Sequence, residues 1–153
     1  MSNKLLQLLD SEAVCLKMDA RDAADVIENL GIRLYIDGYV KDTFVDAAMA
    51  REKKLPTGLP LGGEVNAAIP HTDVIHVLKP GVAMATLKRP VIFKNMISPD
   101  EDVNVQLVFL LSLEQPKSQI EMLQEIASVL QRPETVEKLM AATTFEDVQA
   151  ALA

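Results

Sequence analysis

Both histidines of the chain fall within sixteen residues, GGEVNAAIPHTDVIHV at 62–77. Pro70 stands directly before His71, and Thr72 and Asp73 follow it. A neutral imidazole nitrogen is a competent nucleophile near pH 7. The proline fixes its own φ and pushes residue 69 into an extended conformation, so His71 is expected at a strand end on a stiff backbone. Ala67 and Ala68 are small enough to let other elements approach closely. Thr72 and Asp73 are polar, and Thr72 can donate to an anion through its hydroxyl and its backbone N–H. The segment therefore suits a nucleophile beside an anion cradle. The plainer alternative is a loop histidine that only satisfies a neighbour. His76, between Ile75 and Val77, reads as a strand histidine hydrogen-bonded to the residues around it.

Other chemistries find less support. His71 and His76 are five residues apart, which in an extended segment puts them on opposite faces, and no cysteine or further histidine joins them. A shared metal is therefore not expected. GLPLGG at 58–63 has neither the lysine nor the spacing of a nucleotide-binding loop. No nucleophile-elbow motif supports a hydrolase triad, although counting residues does not exclude one. Arg51 is the second unusual residue. It lies seven after Phe44, four after Ala47 and three after Ala48, on a helix stripe that should face inward. It either runs its stem along the surface to the helix C-terminus or reaches an anion at a neighbouring site. The twenty residues between it and His71 cross a Gly/Pro-rich loop that can fold back.

Charge and composition limit the partners. The formal charge is −7, which disfavours nucleic acid and anionic membranes and suits a basic protein partner. The apolar fraction is 49% with only 4% aromatics, so the core is aliphatic, with seven methionines filling gaps. A chain of 153 residues is most simply one domain over 1–153, large enough to bury roughly 70% of its unfolded surface. Cys15 is alone and reads as a small core hydrophobe in a strand. With no apolar leader and no long apolar run, the expectation is a soluble cytoplasmic protein.

The elements that must position these residues follow from periodicity. Residues 13–18 alternate as a strand. Asp19 should cap a helix from about Ala20, with Ala23, Ile27, Leu30 and Leu34 on one face, ending at Asp37 and Gly38. Thr43 and Asp46 have capping-box spacing for a second helix ending in REKK. Residues 55–63 read as a loop. Residues 65–69 and 74–78 read as short strands split at Pro70, and 82–88 as a strand that Arg89 and Pro90 turn into a short run at 91–93. From 103 to 113, alternation puts Val103, Val105, Leu107, Phe109, Leu111 and Leu113 on one face of a central strand. Pro116 and Pro133 open two helices, and Thr144 with Asp147 caps a third. The fold class is α/β: one mixed sheet with helices on both faces.

FVDAAMAREKKLPTGLP followed by AAIPHTD resembles the enzyme IIA components of the bacterial phosphoenolpyruvate-dependent sugar phosphotransferase system. The similarity is to the fructose/mannitol type, and within it to galactitol-like members. It extends through VQLVFLLSL and the C-terminal helices. The resemblance implies that His71 accepts a phosphoryl group from HPr and passes it to a cysteine of a IIB partner, with a membrane IIC component involved only indirectly. It implies that Arg51 helps to hold the phosphoryl group, with the backbone at Thr72 and Asp73, and that no cofactor or metal is needed. Three positions depart from the usual pattern. Gln119 stands where many members have a second histidine, Thr72 where many have a smaller residue, and Ala67 where a larger aliphatic is common. A glutamine can still hydrogen-bond an oxygen or orient an imidazole, but carries no charge. Two alternatives remain: a regulatory IIA-like module phosphorylated as a signal, and hydrolysis or metal binding at the two histidines.

Overall fold

A computed structural model describes residues 4–153. Five strands form one mixed sheet in the order β1-β4-β5-β3-β2. The strands are β1 (Leu9–Met18), β2 (Gly58–Leu59), β3 (Asn66–Ala68), β4 (Gly81–Lys94) and β5 (Asp102–Ser112). The pairs β1–β4 and β3–β5 are parallel; β4–β5 and β2–β3 are antiparallel. Strand β5 is central, and its second half is buried on both faces, as its sequence suggests.

Six helices cover both faces. On one side, α2 (Ala23–Ile36) and α3 (Phe44–Lys54) bury Val26, Ile27, Leu30, Leu34, Phe44 and Ala48 against Ala83, Ala85, Val108 and Leu110. On the other, α1 (Lys4–Leu8), α4 (Pro116–Leu130), α5 (Pro133–Ala141) and α6 (Phe145–Leu152) cover Met84, Leu107, Phe109 and Leu111. Among the described residues no helix is long and apolar enough to cross a membrane.

Several local expectations are corrected. Helix α2 is capped by Asp22, whose carboxylate accepts from the Asp25 N–H at 2.8 Å; Asp19 instead pairs with Arg89. Gly31 sits inside α2 because a Cβ there would lie 2.8 Å from Val45 Cγ2, so the glycine permits close packing of α3. Thr43 makes no capping bond; its hydroxyl is turned to His76. Thr144 does form the capping box with Asp147. The loop at 55–63 contains the two-residue edge strand β2, where Gly58 lets the Lys94 carbonyl approach.

The turn expected at Arg89 and Pro90 is an excursion within β4, not its end. Thr86 pairs with Leu107 and Val91 with Val105, so residues 87–90 bulge out opposite Gln106 and pairing then resumes. The alternation of β5 is broken at the same level of the sheet. Val103 and Val105 join the core under α2 and α3, whereas Leu107, Phe109, Leu111 and Leu113 join the opposite core. A single expected face is thus divided between two: β3 steps from Asn66 to Ala67 while β5 steps from Val105 to Leu107, and the one extra residue, Gln106, reverses side-chain direction along β5.

Residues 74–78 are not a strand. The chain leaves the sheet after Pro70 and has no sheet edge to pair with, so Val74–His76 close into a 3₁₀ turn. The turn leans on the α2–α3 connection: the Lys41 N–H donates to the His76 carbonyl, and the Leu78 and Lys79 N–H groups donate to that of Tyr39.

Candidate functional site

Parallel pairing of β3 and β5 brings their C-terminal ends to one edge of the sheet. The chain leaving β3 carries His71, and the chain leaving β5 enters α4, which carries Gln119 in its first turns. The last turn of α3 supplies Arg51 to the same edge.

His71 is held from behind. The Ile69 N–H donates to the Thr57 carbonyl at 3.4 Å, and the Pro70 carbonyl accepts from the Leu111 N–H at 3.1 Å. Proline has no N–H to leave unpaired, so the extended segment between β2 and β5 is fixed on both sides without cost at that position. The His71 ring folds back so that Nδ1 lies 2.9 Å from the Ile69 carbonyl. A carbonyl oxygen only accepts, so Nδ1 carries the ring proton and Nε2 keeps its lone pair. The pKa of the imidazole is lowered from its ordinary 6.5. Burial is the main cause; the Ile69 carbonyl opposes it, and the positive charge of Arg51 adds to it. At pH 7 the ring is neutral with Nε2 as its basic atom.

Arg51 lies half-buried, with Nη1 3.5 Å from Asp73 Oδ1; the Asp73 side chain is largely exposed. The Nε of Arg51 is buried and has no protein partner. Thr72 is only 4% exposed, and its carbonyl accepts from Gln119 Nε2 at 2.7 Å. Because the partner is a carbonyl, the Gln119 amide nitrogen must be the atom that faces it. Among the described residues, no protein group accepts from the N–H groups of His71, Thr72 or Asp73. The structure therefore brings His71, Arg51, Thr72, Asp73 and Gln119 to one edge. The Arg51 guanidinium extends to Asp73, two residues beyond His71.

His76 stands apart. Its Nδ1 lies 2.7 Å from Thr43 Oγ1, on the far side of the 3₁₀ turn. Ala67 and Ala68 are fully buried and do not contribute a surface beside His71. The exposed apolar side chains next along the chain from the site residues are Ile75 at 67%, Leu55 at 57% and Ile120 at 57%.

One residue of this region escaped the sequence analysis. Glu52 accepts from the Thr57 N–H at 2.8 Å and the Thr57 hydroxyl at 2.7 Å. Burial pushes its pKa up from 4.5 to about 7, against the two Thr57 bonds, which pull it down. The signal was its position, eight after Phe44 and four after Ala48 on the same inward stripe.

Residues 7–153 match the family described as "Phosphoenolpyruvate-dependent sugar phosphotransferase system, EIIA 2". The chain is 35% identical over 120 residues to the galactitol-specific EIIA component of the phosphotransferase system in Escherichia coli strain K12, covering 78% of each. It is 28% identical over 145 residues to the transcriptional regulator ManR of Bacillus subtilis, covering 92% of this chain and 21% of that protein. Among solved structures it resembles the mannitol enzyme IIA in its complex with phosphorylated enzyme IIB from Escherichia coli. There the TM-score is 0.79 at 26% identity, covering 94% of this chain and 96% of that one. A mixed five-stranded sheet with helices on both faces defines the IIA fold of the mannitol type. The chain belongs to the EIIA 2 family of the phosphoenolpyruvate-dependent sugar phosphotransferase system, as a phosphotransfer component with galactitol-specific relatives.

Proposed function

We propose that this protein is a cytoplasmic phosphocarrier in which His71 Nε2 accepts a phosphoryl group from phospho-HPr and passes it to a cysteine of a IIB partner. The pathway would serve uptake of a sugar or sugar alcohol of the galactitol kind. The observation that carries this reading is the Nδ1–Ile69 carbonyl bond, which leaves the Nε2 lone pair available on a ring that feels the charge of Arg51.

In the first step the Nε2 lone pair attacks phosphorus in line, as the phosphorus–nitrogen bond to the HPr imidazole breaks and that ring regains its electron pair. The His71 ring, still protonated at Nδ1, becomes positively charged. Its Nδ1–H bond to the Ile69 carbonyl then becomes charge-assisted and strengthens. Arg51 neutralises charge on the equatorial oxygens, and the N–H groups at Thr72 and Asp73 are suited to donate to them. In the second step a thiolate of the IIB partner forms a sulfur–phosphorus bond, the Nε2–phosphorus bond breaks, and His71 returns to its neutral form. Gln119 stands in for a second histidine as a holder of the loop, through the Thr72 carbonyl, and brings no charge. Ile75, Leu55 and Ile120 form the apolar part of a docking rim, and the −7 charge favours a basic donor.

Incubation with phosphoenolpyruvate, enzyme I and HPr should give an acid-labile, base-stable phosphoadduct that is absent from His71→Ala. Phosphate on the His71→Ala protein would overturn the assignment. The similarity to a transcriptional regulator favours a second reading, phosphorylation as a signal. Transfer to a galactitol-type IIB protein supports the carrier; phosphorylation without transfer to any of a panel of IIB proteins supports the signal.

A further inference from the structure

Glu52 is next to Arg51 in the chain, yet its carboxylate points away from the site edge and clasps Thr57. Thr57 is 3% exposed, so both of its donors would be unsatisfied without that carboxylate. Two donors on one residue require two acceptor atoms, which a carboxylate has. The clasp closes residues 52–57 into a ring between the last turn of α3 and the start of β2. From Thr57 the connection continues: its carbonyl accepts from the Ile69 N–H, and the Ile69 carbonyl accepts from His71 Nδ1 at 2.9 Å. Four residues thus link the helix turn that carries Arg51 to the ring atom that decides which imidazole nitrogen is basic.

We propose that Glu52 is a positioning residue for phosphoryl transfer: through Thr57 and the Ile69 peptide it holds Arg51 and His71 in one frame and keeps the His71 proton on Nδ1. The proposal rests on the phosphocarrier reading for its effect on rate, but not for its effect on the ring. A carboxyl used only for fold stability would not need to sit on the path to the ring. Burial raises the Glu52 pKa to about 7, which shows how far the group is removed from water. The charged groups that line the same cleft of about 290 Å³ are Asp22 from the start of α2, Lys53 from α3 and Lys94 from β4, with Arg51 adjacent in the chain. Asp22 is committed to the α2 cap and Lys94 pairs with Asp102, so neither replaces the Thr57 clasp.

The test uses the full chain labelled with ¹⁵N, reading the His71 ring nitrogens above pH 8 by imidazole ¹H–¹⁵N correlation, with a His76→Gln protein to assign the signals. Wild-type protein should show the Nδ1–H tautomer. Glu52→Ala should show a mixture, and its rate of phosphorylation by phospho-HPr should fall on the order of tenfold. Glu52→Gln should restore the Nδ1–H tautomer and most of the rate, because its amide oxygen still accepts from the Thr57 N–H, the bond that holds the backbone, while the Thr57 hydroxyl turns to accept from the new amide and gives up only its own acceptor. Thermal unfolding gives the folded fraction for each protein. Should Glu52→Ala not fold, Thr57→Val removes one arm of the clasp and should shift the tautomer in the same direction. An unchanged tautomer in Glu52→Ala, or in Thr57→Val when only that protein folds, overturns the positioning role. Failure of wild-type protein to accept phosphate overturns the carrier reading and with it the effect on rate. The tautomer result separates the two failures.

Discussion

His71 and His76 carry the same ring on the same short stretch of chain, and they differ in what faces Nδ1. For His71 the partner is the Ile69 carbonyl, which can only accept. For His76 it is the Thr43 hydroxyl, which can donate or accept. The first partner determines a tautomer and aims a lone pair; the second leaves the tautomer undetermined. A cation also acts on His71: the positive charge of Arg51 helps to lower its pKa. In the proposed transfer, reactivity comes from a backbone carbonyl and a neighbouring charge, neither of which is a property of the histidine itself.

The comparison would break if His76 could take over. His71→Ala should lose phosphoryl acceptance altogether, while His76→Gln stays within about twofold of wild type when phosphorylation is followed by acid-labile label. Next in size is Arg51→Ala, which should slow phosphorylation about a hundredfold, the usual range for one charge-stabilising donor. Arg51→Lys should recover only part of that, because a lysine lacks the planar fork. Gln119→Ala should slow it about tenfold by freeing the Thr72 carbonyl and the loop after His71. Measuring both rate variants by rapid quench against phospho-HPr separates the cation from the loop holder.

The pH profile sharpens the same contrast. Only neutral His71 has a lone pair to attack, so the rate falls as the ring gains a proton at low pH. Its pKa lies below 6.5, so the acid limb of single-turnover phosphorylation should also lie below 6.5. An acid limb above that value would mean that the ring is less buried than this geometry requires. The smallest expected effect is from Thr43→Val. Removing the His76 partner should cost about 1 kcal/mol in urea unfolding and change the phosphorylation rate by less than about twofold.

Much of this arrangement was legible along the chain. The inward stripe of α2, the prolines that open α4 and α5, and the capping box at Thr144 all follow local rules, and they formed as expected, whereas the α4 stripe expected to include Ile120 leaves that residue exposed and buries Met122 instead. So did the central place of β5. Where the reading failed, a contact from a distant segment had overridden a local preference. Thr43 had the spacing of a cap, but its hydroxyl bonds His76. Residues 74–78 had strand character but no sheet edge to join. The single stripe expected over 103–113 divides because Gln106 is an extra residue in β5 relative to β3, so side chains before and after it face opposite cores. Glu52 was not legible because a carboxylate near a helix end is ordinarily solvated, and its clasp on Thr57 depends on how the following loop folds back.

By itself the order of residues determined the rigid approach to position 71, since a proline restricts its own torsion and that of its predecessor whatever surrounds them. It also determined the helix faces, which depend only on spacing. The tertiary structure alone decided that the ring should turn its Nδ1 onto a carbonyl two residues back, that Arg51 should reach Asp73, and that Gln119 should meet Thr72. The last of these depends on parallel pairing of β3 with β5, which brings chain ends far apart in sequence to one edge of the sheet. No local rule encodes that meeting, because it is a property of how strands pair across the whole molecule.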